Sequence, residues 1–320
     1  MSSSNAVAHF TDRLIDRVIA TRSHLVVGLD PDLSELPAEL LDGVDDLGGA
    51  AAAAGRFCVA LIDGVSEHVA AVKPQSAFFE QFGSAGVAAL EMVIAHAHSV
   101  GLLVIEDAKR GDIGSTMAAY AATTIGSVRI GGRDLAAHDS DAVTVSPYLG
   151  PQSLEPMLEV GRPLGKGIFV LVRTSNPGSA EIQGDLTELG SEPLYLKVAA
   201  MVARLGASNI GKHGYGDVGA VTGLTYPQEA PGLRAAMPDS YFLVPGLGAQ
   251  GGKPEDFAEF LNGDGLGAVA AASRSISGAW RNAPQGGAIL DLVRTCSQAA
   301  TLATSQSLNN ALEAADRLRF

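Results

Sequence analysis

Short apolar runs alternate with helical patterns along this chain, and that alternation limits its fold more than any other feature. The runs are Leu25–Leu29, Val69–Val72, Leu102–Ile105, Ala142–Val145, Ile168–Val172, Val218–Val221, Tyr241–Val244 and Gly267–Ala271. Most are apolar throughout, as parallel strands covered on both faces are. Helical patterns lie at Val7–Thr21, Ala50–His68, Ala85–Val100, Thr116–Ile125, Gln152–Glu159, Pro193–Leu205, Gln228–Met237, Pro254–Leu261 and Gly286–Leu318. Eight such repeats predict an α/β fold of the (β/α)8 barrel type, with a doubly wound open sheet as the alternative.

The polar residues at the ends of the runs favour the barrel. Asp30 comes after the first, Lys73 after the second, Asp107 and Lys109 after the third, and Ser146 after the fourth. Thr174 and Ser175 come after the fifth, Thr222 after the sixth, Pro245-Gly246 after the seventh, and Ser273-Arg274 after the eighth. In a closed barrel these polar groups ring one mouth, where active sites are built. A length of 320 residues suits one such domain over 1–320, with an N-terminal helix 7–21 and a C-terminal helical extension 286–320. That extension shows little amphipathicity, which predicts a weakly held, fraying segment. Asp42–Gly55, rich in Ala and Gly, reads as a surface loop running into a helix. Asn176–Glu192 reads as a surface loop or a partial lid.

Composition excludes several functions. A net charge of −13 makes nucleic acid and anionic membranes poor partners. No window approaches 18 consecutive apolar residues, and the first ten residues lack the apolar core of a signal peptide. Cys58 and Cys296 are the only cysteines and lie far apart, which fits a reducing cytoplasm and excludes a disulfide framework. The seven histidines do not cluster, and His96 and His98 point to different helix faces, so no metal site is expected.

The chemistry concentrates in Asp107-Ala108-Lys109-Arg110-Gly111-Asp112. Strand alternation sets Asp107 and Lys109 side by side. Gly111 then allows a sharp turn, and Asp112 starts the next helix. Lys73 with these three gives two anions and two cations, a costly concentration of charge unless each has a partner. A lysine fixed between carboxylates suits delivery of a proton to a carbanion. A salt-bridge network that merely holds the mouth together is the bland alternative.

Pro245-Gly246-Leu247-Gly248-Ala249-Gln250-Gly251-Gly252 contains G-x-G-x-x-G. It lies after the seventh run rather than the first, and no acid ends the next strand, so a dinucleotide site is rejected. Loops after barrel strands 7 and 8 commonly bind phosphate. Gly248 and Gly251 let backbone approach an anion, Gln250 can donate an amide hydrogen bond, and Arg274 offers a charged fork.

Asp107-x-Lys109-x-x-Asp112-Ile113-x-x-Thr116 resembles the signature of the orotidine 5′-phosphate decarboxylases. Pro245-Gly246-x-Gly248-Ala249-Gln250-Gly251-Gly252 resembles that family's phosphate loop. Val72-Lys73-Pro74-Gln75 and the Arg-Gly-Asp form of the triad resemble the branch of many bacteria, mycobacteria among them. The likeness runs from about Leu25 to Ile276. It implies a cofactor-free, metal-free decarboxylation of orotidine 5′-phosphate to UMP, in which Lys109 protonates C6 and Asp107 sits against the substrate carboxylate. It implies that Asp112 and Thr116 reach into a neighbouring subunit's site, in a homodimer. It assigns Asp30 and Lys73 to the ribose, Ser175 to the base edge, and Gln250 and Arg274 to the phosphate. A Mg²⁺-dependent sugar-phosphate decarboxylase or hexulose phosphate synthase of the same superfamily shares the Asp-x-Lys-x-x-Asp core, and is the rival reading. A non-catalytic nucleotide-binding barrel is the reading from another class.

Overall fold

The computed structural model describes residues 7–185, 192–248, 251–283 and 286–320. Eight parallel strands close into a barrel: β1 (Leu25–Leu29), β2 (Ala71–Pro74), β3 (Leu103–Arg110), β6 (Ala142–Val145), β7 (Gly167–Arg173), β8 (Val218–Thr222), β9 (Phe242–Pro245) and β10 (Ala268–Ala272). The strands β4 (Val128–Ile130) and β5 (Arg133–Leu135) form a separate exposed hairpin. All eight predicted runs are barrel strands, in sequential order around the ring, so the chain folds as a TIM barrel rather than an open sheet.

Two apolar layers hold the ring. One lies between strands and surrounding helices and includes Val72, Val104, Val143, Val170 and Val244. The other fills the barrel interior with Leu103, Ile105, Phe169, Leu243 and Val269. The helix Phe10–Thr21 seals the end where the strands begin. Its buried face presents Phe10, Leu14, Ile15 and Val18 to the interior. The ring of Phe10 meets that of Phe169 edge-on at 5.8 Å. A Cβ on Gly167 would come within 2.5 Å of the Phe10 ring, so glycine is what lets this helix seat so closely.

Two expectations about the outer helices need correction. The Ala-rich stretch is helical from Leu47, with Asp46 accepting the N–H of Gly49 as its cap. The helix Leu47–Val65 is long and apolar enough to cross a membrane, yet it is 67% buried, as a core helix is. Alanine there is a packing choice: Ala50, Ala51, Ala53 and Ala54 let neighbours approach. The C-terminal pattern forms one 26-residue helix, Ile289–Ala314. It is held along its length, because its inner face carries Ser297, Thr301 and Ser305 among Val293, Leu308 and Leu312. Small hydroxyls on the buried stripe weaken the apolar periodicity without weakening the contact. At the crossing, a Cβ on Gly64 would lie 2.3 Å from the Arg294 carbonyl oxygen.

Removing the seal should weaken the fold and leave the mouth intact. We expect Phe10→Ala to lower unfolding free energy by about 3–5 kcal/mol in urea titrations with an unchanged m-value. A loss below about 1 kcal/mol would mean that the helix does not close the barrel core.

Candidate active site

The strand ends form a mouth around a cavity of about 530 Å³. Asp30, Lys73, Asp107, Lys109, Ser175 and Arg274 all line it, so the structure brings together six of the residues singled out by sequence. Asp112, Thr116, Gly248 and Gly251 are not among its lining residues, and Gln250 lies outside the described residues.

Asp107 is the centre. Its carboxylate is buried and accepts from four donors, two on each oxygen. Lys73 Nζ donates to Oδ2 at 2.6 Å and Gln75 Nε2 to the same oxygen at 3.1 Å. Lys109 Nζ donates to Oδ1 at 2.5 Å and Thr144 Oγ1 at 3.0 Å. A carboxylate offers about four lone-pair directions, and all are used. Burial alone would raise the Asp107 pKa, but the two ammonium groups reverse this and hold it well below the ordinary carboxylate range. Burial would likewise discharge Lys73, and the Asp107 and Asp30 carboxylates instead raise its pKa.

The local backbone departs from simple strand alternation. The β3–β6 register shifts between Glu106 and Arg110. Lys109 has φ of +50°, one of four described non-glycine residues in the left-handed region. Such a conformation costs on the order of 1–3 kcal/mol and clusters at functional sites. The sequence placed the turn at Gly111, but the left-handed positions are Lys109 and Gly114. Gly111 serves a different purpose: a Cβ there would sit 3.1 Å from Ser146 Cβ.

Asp112 stands apart from the triad within one chain. Its Oδ1 accepts the N–H of Ile113 at 2.8 Å, and it forms no ion pair among the described residues. The expected four-member network is therefore a three-member one among the described residues of the chain. Thr116 is exposed on the next helix, Gly114–Thr124. Asp30 Oδ1 is a buried acceptor with no donor among the described residues. Arg274 is exposed and makes no ion pair among the described residues.

The glycine loop folds on itself more than the sequence suggested. The amides of Gly248, Gly251 and Gly252 donate to the carbonyls of Gly252, Gly248 and Gly246. Positive φ at Gly246, Gly248 and Gly251 explains their glycines as turn requirements.

Sequence reasoning missed three contributors. Gln75 and Thr144 hold Asp107 as described. Glu106 points the other way from Asp107 and is fully buried, accepting from Ser76, His138 and Ser140 at 3.0–3.1 Å. It ties the segment after β2 and the loop before β6 to β3. The only signal was an acid beside Asp107 at the end of an apolar run.

The depressed Asp107 pKa fixes a sign. Its charged form stabilises the fold fully above the unfolded value of 3.8 and progressively less as pH falls through the lower folded value. We expect Asp107→Asn to destabilise by about 3 kcal/mol at pH 7. The difference from wild type should shrink between pH 4 and pH 2 in urea titrations. A gap that stays constant across that range would contradict the assigned ion pairing.

Comparison with known proteins agrees with this geometry. The family model described as orotidine 5′-phosphate decarboxylase / HUMPS family matches residues 23–284. An orotidine 5′-phosphate decarboxylase of Rhodopirellula baltica is 48% identical over 269 residues, 83% of this chain and 87% of that protein. One from Streptomyces coelicolor is 42% identical over 247 residues, 75% of this chain and 80% of that protein. The structure of Leishmania donovani OMP decarboxylase superposes with a TM-score of 0.71 at 32% identity, covering 95% of this chain and 98% of that one.

Proposed function

The chain belongs to the orotidine 5′-phosphate decarboxylase family and converts orotidine 5′-phosphate to UMP, and from that premise we propose how its residues divide the work. The observation that carries the reading is Asp107, saturated by donors and flanked by two ammonium groups in the cavity lining.

Lys109 is the proton donor. The C6–carboxylate bond breaks, CO2 leaves, and the electron pair stays on C6. The Lys109 ammonium stabilises that charge as it develops and then transfers its proton to C6. Water restores the ammonium. Asp107 faces the substrate carboxylate, and Lys73 keeps Asp107 charged and in place. The unpartnered Asp30 oxygen accepts a ribose hydroxyl, which Lys73 also contacts. Ser175 reads the base edge. Gln250 and Arg274 hold the phosphate, with Gly248 and Gly251 flanking Gln250 in the sequence. Phosphate binding far from C6 supplies energy that orders the site. No cofactor or metal takes part in these steps.

The working unit is a homodimer with shared sites. Asp112 and Thr116 lie outside their own chain's cavity and reach the partner's. Ile113 is 64% exposed beside Asp112, and Tyr148 is 87% exposed in the stretch after β6. A second copy of the chain would cover such apolar surface. Free Cys58 and Cys296 suit a reducing cytoplasm.

Loss of orotidylate absorbance with purified protein tests the activity. We expect Lys109→Ala to cut turnover by at least roughly 1,000-fold with the fold retained, and turnover near wild type would refute the donor assignment. Mixing an Asp107-defective with an Asp112-defective variant should restore activity, since one site of each hybrid dimer is intact. No recovery after proven subunit exchange would end the shared-site reading.

A further inference from the structure

We propose that Thr144 is a positioning residue for the decarboxylation, acting through Asp107 and Lys109 together; this rests on the reading of Lys109 as proton donor. Thr144 lies in β6, buried, paired in register with interior Phe169. Its Oγ1 accepts the backbone N–H of Lys109 at 3.0 Å and donates to Asp107 Oδ1 at 3.0 Å. A hydroxyl has a single proton. The Lys109 amide can only donate, so that proton goes to the carboxylate and the orientation of the group is fixed.

The two bonds act on different parts of the site. The first holds the Lys109 amide at the point where β3 and β6 lose register and the Lys109 backbone is left-handed. A left-handed lysine persists only where its surroundings hold it there. That conformation sets the direction in which the lysine side chain leaves the strand. The second bond shares Oδ1 with the Lys109 ammonium, so it sets which face of the carboxylate the ammonium meets. Gln75 does the corresponding work on Oδ2, whereas the Lys109 N–H donates to Thr144. Thr144 therefore couples the acid and the base of the pair from a neighbouring strand. A donor whose reach must be correct to a fraction of an ångström is where such coupling matters.

Thr144→Val keeps the branched shape and removes the hydroxyl. We expect kcat to fall roughly 10- to 100-fold, with KM within about threefold of wild type, because transition-state geometry is lost and ground-state binding is not. Thr144→Ser, which keeps the hydroxyl, should restore kcat to within about threefold of wild type. A purely structural role would lower Tm and leave kcat unchanged well below it. A valine variant within about twofold of wild-type kcat, or a serine variant as slow as the valine one, would overturn the proposal. Should the valine variant not fold, Thr144→Cys, a weak donor of similar size, serves in the same comparison. Wild-type turnover in Lys109→Ala would sink the donor reading, and the positioning role that rests on it. An inactive Lys109→Ala with a fully active Thr144→Val would sink the positioning role alone.

Discussion

A single buried carboxylate, that of Asp107, organises this molecule's functional end. Removing a carboxylate and an ammonium from water is expensive, and their attraction offsets that only when every remaining lone pair and proton is satisfied. Here two lysines, an amide and a hydroxyl meet that requirement, from β2, the residue after it, β3 and β6. Any of those segments moving by an ångström would strand a charge. The arrangement therefore demands a frame that does not flex, and the closed barrel supplies it. Behind the carboxylate, Glu106 draws Ser76, His138 and Ser140 onto the outer side of β3. Two adjacent acids thus face opposite ways and join the same neighbours from both sides.

Much of this was legible in the amino-acid order. Continuous apolar runs gave the strands because a parallel sheet hides both faces, and the polar residue after each run gave the mouth. Asp30, Lys73, Asp107, Lys109, Ser175 and Arg274 reached one cavity as expected. Thr144 stayed hidden because threonine is an ordinary strand former, and within Ala142–Val145 it passes for packing. Gln75 stood in the Val72-Lys73-Pro74-Gln75 motif without a role, because an amide after a proline suits a loop. The left-handed turn was misplaced because a lysine in that conformation depends on tertiary contacts, which no local pattern carries. The helices Leu47–Val65 and Ile289–Ala314 were underrated because small residues pack closely without a strong apolar signal.

The mouth residues also differ in how they meet solvent. Asp107 and Lys73 are buried, while the Lys109 side chain remains 46% exposed. Asp112 and Thr116 are turned away from their own cavity. A site completed only when substrate binds would leave this pattern. It would also postpone full dehydration of Lys109 until the reactant is in place, when a dry environment strengthens each electrostatic contact.

The N-terminal helix plugs the far end of the barrel. With Phe10, Leu14, Ile15 and Val18 filling the base, the interior is complete before any loop at the opposite rim contributes. Substitutions confined to the loops of the opposite rim leave these helix contacts untouched.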